Sequence, residues 1–200
     1  MDIKEIKAGT IAMAEALYGM LILIERGFME HSQEFLTQAM EKERAINGME
    51  KELTAAVLAL SKAAKKDSER KALVAAEQAV ETIERMGDEA ASLIERIEMK
   101  NAEHLLFSET GVAQYNEVYA AMKKSVEMMC AFLRSGDGAP KERVIDNGFH
   151  VKALIGKYRA EHAERLVNGI CTPIAANMFF DMLDFTGNIA RHSSTVVKLS

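Results

Sequence analysis

Apolar residues recur along this chain at the three- and four-residue spacing of a helix that buries one face. In the clearest stretch, Ala76, Val80, Ile83, Ala90, Ile94 and Ile97 fall on one stripe, and Glu77, Glu81, Glu84 and Asp88 fall on the neighbouring one. Read with its breakers, the pattern predicts six helices. The first runs from Ile3 to Arg26 and stops at Gly27, read as a helix C-terminal glycine. The second runs from Ser32 to Ala64. The third runs from Glu69 to Glu103, with Asp67 or Ser68 as its cap. After a linker at Leu105 to Glu109, with Ser108 as candidate cap, the fourth runs from Thr110 to Leu133. The segment RSGDGAP, Arg134 to Pro140, is the strongest loop signal. The fifth helix runs from Lys141 to Val167. Thr172 can cap the sixth, with Pro173 in its first position. Three helices, a linker and three more predict an all-α fold of two tandem antiparallel three-helix bundles, residues 1–105 and 106–200.

A motif occurs twice, 100 positions apart: ETIERMGDEA at Glu81 to Ala90 and DMLDFTGNIA at Asp181 to Ala190. Acids align at Glu81 with Asp181 and at Glu84 with Asp184. Gly87 aligns with Gly187, and Asp88 with Asn188. The repeat implies a duplicated helical unit whose second acidic stripe has lost a member. The paired glycines mark a place where two helices approach closely.

Composition agrees with the pattern. Hydrophobic residues make up 48% of the 200, which supports a core, and two prolines leave the helices uninterrupted. The net charge of -5, with no arginine-rich stretch, argues against a nucleic-acid partner. The two cysteines, Cys130 and Cys171, read as reduced core thiols in a cytosolic protein. The nearest candidate membrane span, Ile11 to Ile24, is too short and is interrupted by Glu15, so no span is predicted. The N-terminus MDIKEIKAGT lacks the form of a secretion signal.

The second helix carries a stripe of its own: Glu43, Asn47 and Glu50, spaced four and then three. If it faces Glu81, Glu84 and Asp88, five carboxylates and an amide converge. Crowded carboxylates bind a cation, take up protons or turn to water. Oxygen ligands suit Mg²⁺, Mn²⁺ or Ca²⁺, and iron or zinc also accept them. A solvated polar face is the bland alternative. No histidine stands three residues after a Glu, so the Glu-x-x-His pairs of di-iron bundles are missing. His162 reads as a packing or surface residue, and the methionines, including Met128, Met129, Met178 and Met182, read as core filler.

At these residues the chain resembles the PhoU family of phosphate-uptake regulators. ERMGDEAASLIERI is similar to that family's third-helix signature, and EKERAINGMEKEL, Glu41 to Leu53, to the helix before it. His162 to Ser193 resembles the PhoU-like domain of sodium/phosphate cotransporters. The resemblance implies two triple-helix bundles with pseudo-twofold symmetry and metal clusters, often iron or zinc. It places the first bundle's ligands at Glu43, Asn47, Glu50, Glu81, Glu84 and Asp88. In the second bundle Gly148, Lys152 and Ile155 stand where Glu43, Asn47 and Glu50 stand in the first. That bundle is therefore expected to hold no cluster, with Lys152 pairing with Asp184 or Asp181 instead. The resemblance also implies a cytoplasmic, non-enzymatic regulator acting on a membrane phosphate transporter or a sensor kinase. The apolar first helix points to a homodimer. The alternatives are a regulatory domain of a cotransporter, a carboxylate-bundle metalloenzyme and a metal-free helical adaptor.

Overall fold

A computed structural model describes residues 1–135 and 141–199. It contains α1 (Ile3–Met29), α2 (Gln33–Ala63), α3 (Asp67–Ala102), α4 (Glu109–Ser135), α5 (Lys141–Val167) and α6 (Pro173–Leu199). Helices α1, α2 and α3 pack on one another, as do α4, α5 and α6. The two triplets meet through α1 against α4 and α3 against α6. Most of the RSGDGAP loop lies outside the described residues.

Local chemistry sets the helix ends. Asp2 caps α1, its Oδ1 accepting from the backbone N–H of Lys4 at 2.7 Å and of Glu5 at 2.9 Å. Glu5 returns the bond by accepting from Asp2 N, which completes a capping box. Ser108 Oγ accepts from Gly111 N at 3.1 Å, and Thr172 Oγ1 from Ala175 N at 3.2 Å, so both cap as the sequence implies. Two other ends differ from the sequence reading. Helix α1 continues through Gly27 and ends at Met29, where His31 takes φ 52°. Gly27 is there for space: a Cβ on it would lie 2.4 Å from Leu36 Cδ2. Helix α3 begins at Asp67 after Lys66, with no side-chain cap.

The interior is one continuous apolar cluster that crosses from one bundle into the other, with a small satellite around Ile6, Val57 and Leu73. Met129, Met178 and Met182 belong to it, and Met128 packs against it. Tyr115 and Tyr119 of α4 reach across. The Tyr115 ring meets Phe28 edge-on at 5.1 Å, and Tyr119 Oη donates to Leu21 O at 2.8 Å. At the rim of this interface Lys123 pairs with Glu25 at 2.5 Å and Arg134 with Glu15 at 2.6 Å. Helix α1 is long and apolar enough to cross a membrane by length and composition, and it is the one such helix among the described residues. Here its apolar face, from Ile6 to Phe28, is buried against α2, α3 and α4.

Candidate functional site

Helices α2 and α3 run antiparallel, and Ile46 faces Gly87: a Cβ on Gly87 would lie 3.5 Å from Ile46 Cγ2. This places the two acidic stripes along the same seam. Glu84 senses the arrangement most. Burial raises its carboxyl above the usual range, and the charges of Asp88, Glu50 and Glu81 add to the shift against Arg85. Glu50 accepts from Thr54 Oγ1 at 3.1 Å. Asn47 Nδ2 donates to Glu43, which is buried. Asn47 Oδ1 is buried too and has no hydrogen-bond partner.

The six residues singled out from sequence divide accordingly. Asp88 and Glu50 act electrostatically on Glu84, with Glu81 adding less. Glu43 is tied to Asn47 on the same helix, and Glu81 is exposed and turned to Arg85 at 2.5 Å. Among the described residues no three His, Cys, Asp or Glu groups stand together as a metal set. The donor chemistry nevertheless fits a hard cation. Every available donor is an oxygen, one of them is a buried carbonyl oxygen with no partner, and the carboxylates repel one another.

The matching seam of the second bundle has a different chemistry. Asp181 pairs with Arg96 of α3 at 3.0 Å, and Asp184 with Arg159 of α5. The expected pairing with Lys152 does not occur: Lys152 forms no ion pair with a described residue. Arg159 lies on α5 two turns beyond Lys152 and reaches Asp184, while Arg96 arrives from the other bundle. Single-bundle reasoning could not supply that partner. Gly187 is more tightly confined than Gly87, since a Cβ on it would lie 2.7 Å from Ile155 Cδ1.

The seams are joined across α3 and α6. Asn188 Nδ2 donates to Glu89 Oε1 at 3.1 Å. Burial raises the Glu89 carboxyl against the lowering effects of Asn188 and Arg191, with Asp88 and Asp184 adding to the rise. His192 is buried beside Arg191 and Arg85, and its pKa is lowered to about 4, chiefly by burial. The sequence gives no sign of Glu89 and His192, because their roles arise only when the bundles pack.

A second buried polar group lies near the end of α5. Arg165 Nη2 donates to His162 Nδ1 at 2.9 Å, which leaves the proton of the neutral ring on Nε2. That N–H faces Cys171 Sγ at 3.6 Å. The His162 ring stacks on Phe179 at 4.1 Å, as a packing residue would. Cys130 is a buried thiol, whereas Cys171 is half-exposed and so is not the core thiol expected.

An all-helical protein of two fused three-helix bundles, with an acidic seam in the first and a partly cationic one in the second, is thus defined. Residues 10–97 match the model of the PhoU domain. The chain is PhoU-like. Over 98% of its length it superposes on 93% of the crystal structure of PhoU from Pseudomonas aeruginosa, with a TM-score of 0.89 and 16% identity. It is also similar to the phosphate transport system regulatory protein PhoU from Streptococcus pneumoniae, with a TM-score of 0.82 and 12% identity over 98% of this chain and 92% of that one. No curated protein matches this sequence. At such identities the structural likeness is one of fold.

Proposed function

We propose that this protein is a non-enzymatic regulator of phosphate transport, acting in the cytoplasm on a membrane transporter or its sensor kinase. The observation that carries the reading is the PhoU domain match at residues 10–97, set in a fold shared with PhoU along the rest of the chain. The test is genetic. The protein is expressed in a bacterium whose own PhoU gene is deleted and which carries a phosphate-starvation reporter. Restored repression in phosphate-rich medium supports the role, and a reporter that stays on contradicts it.

The first bundle's seam would bind a cation, with Mg²⁺, Mn²⁺, iron or zinc as candidates. Asn47, Glu50, Glu84 and Asp88 are the residues that would hold it, with Glu43 orienting Asn47 and Glu81 at the margin. Bound there, the cation would supply positive charge between α2 and α3 and relieve their repulsion. What the chain's own residues do is set the affinity: the charges around Glu84 cost stability when no cation offsets them. A cation that prefers one packing of α2 on α3 shifts the protein toward that packing by its differential affinity. The proposal includes a homodimer, which a light-scattering mass at micromolar concentration would test.

A further inference from the structure

The seam of the second bundle opens into a cavity of about 350 Å³ between α5 and α6. That lies within the roughly 300–1,000 Å³ of small-molecule sites. One wall is a stripe of α6: Asp184, Asn188, Arg191, Thr195 and Lys198, spaced four, three, four and three. The other is α5, which contributes Phe149 and Lys152. Ile145, Ile155 and Leu183 add apolar surface.

The charge balance is the opposite of the first bundle's. Three cations, Lys152, Arg191 and Lys198, line the cavity against one carboxylate, Asp184. Asp184 is already neutralised by Arg159. Neither Lys152 nor Lys198 forms an ion pair with a described residue. Arg191 lies beside Glu89 and donates from Nη2 to His192 Nε2 at 3.2 Å. The acids of the first seam have no counterpart here: Gly148 and Ile155 occupy the positions of Glu43 and Glu50, and Lys152 that of the amide Asn47. Gly148 keeps the walls close, since a Cβ there would lie 2.6 Å from Ser194 Oγ.

An apolar cleft with a cationic rim selects a ligand with an anionic head and an apolar body. Phe149 sharpens the choice. Its ring is 65% exposed at the cavity wall, where a planar body can stack on it. We propose that this cleft binds a small phosphorylated molecule of the nucleoside monophosphate class. Lys152 and Arg191 hold the phosphate, and Phe149 stacks on the base.

The test is isothermal titration of the whole chain with AMP, adenosine and orthophosphate. AMP is expected to bind at one site per chain, and adenosine to give no measurable heat. Orthophosphate is expected to bind at least tenfold more weakly than AMP. K152E should weaken AMP at least tenfold. F149A should weaken AMP by about tenfold, in line with the loss of one stacking contact, and leave orthophosphate unchanged. Both side chains are exposed, so melting curves should show both variants folded. Absence of AMP binding at millimolar concentration, or binding unchanged in K152E, overturns the proposal. So does orthophosphate binding as tightly as AMP, or a poly-glutamate peptide binding in its place. Cation titration of K152E should match the unmodified protein, which separates this outcome from the fate of the first-bundle site.

Discussion

Gly87 and Gly187 occupy matched positions in the repeated motif, yet their surroundings give them opposite expected responses to alanine. Glycine inside a helix costs about 1 kcal/mol relative to alanine. At Gly87 the new methyl would meet Ile46 Cγ2 at 3.5 Å, an ordinary van der Waals contact. Gly87→Ala should therefore keep most of the helix gain and stabilise the protein by about 0.5–1 kcal/mol. In a chain of this size that corresponds to a rise of roughly 1–4 °C in melting temperature. At Gly187 the methyl would lie 2.7 Å from Ile155 Cδ1, so the isoleucine must move. Ile155 is only partly buried and can do so, but the displacement cancels the gain. Gly187→Ala should be neutral or destabilising by up to about 1 kcal/mol. Urea unfolding of both variants, compared at constant m-value, measures the difference. A loss above about 1 kcal/mol in Gly87→Ala would mean that α2 and α3 approach more closely than described, and the layout of the acidic seam would fail with it.

Four further outcomes are expected. The folded pKa of His192 is about 4 against 6.5 for the free side chain, so the unfolded chain binds the extra proton first as pH falls. Stability should drop between about pH 6.5 and 4 by up to about 3 kcal/mol. His192→Gln should flatten the fall, and thermal melts across that range are the check. Tyr119→Phe removes the buried bond to Leu21 O that ties the bundles together and should cost about 1 kcal/mol in urea unfolding. Burial pushes the Cys130 thiol up to about 12, so iodoacetamide at pH 8 should label the half-exposed Cys171 and spare Cys130, as read by peptide mass spectrometry. Glu84→Gln removes a raised, crowded carboxyl and should stabilise the cation-free protein, with the gain largest near neutral pH and fading as acid protonates Glu84 in the unmodified protein.

Most of the fold was legible because helix periodicity and capping are local. Ser108 and Thr172 do what their positions imply, and the repeat announced the tandem bundles. Gly27 misled because a glycine that ends a helix and one that makes room for Leu36 look alike in sequence. The acidic stripes were legible as stripes, since spacing alone puts Glu43, Asn47 and Glu50 on one face. The i,i+4 spacing permits Glu43–Asn47 and Glu81–Arg85, but that these pairs form within their own helices while Glu50 and Asp88 crowd Glu84 depends on rotamers and neighbours that spacing does not encode. Lys152 lacks the partner its spacing implies for the same reason, since Asp184 is met by Arg159. Asp181 is met by Arg96 from the other bundle, a contact that exists only after the two halves dock.

The cation site in the first bundle is tested most directly by melting the metal-stripped protein against Mg²⁺, Mn²⁺, Fe²⁺ and Zn²⁺, with Glu84→Gln alongside. At one hundred times its dissociation constant a bound ion adds about 2.7 kcal/mol, or roughly 5–10 °C here. At least one of the four ions should give that rise in the unmodified protein and not in the variant. Melting temperatures that stay fixed with every ion, or that rise equally in Glu84→Gln, would contradict a site between α2 and α3.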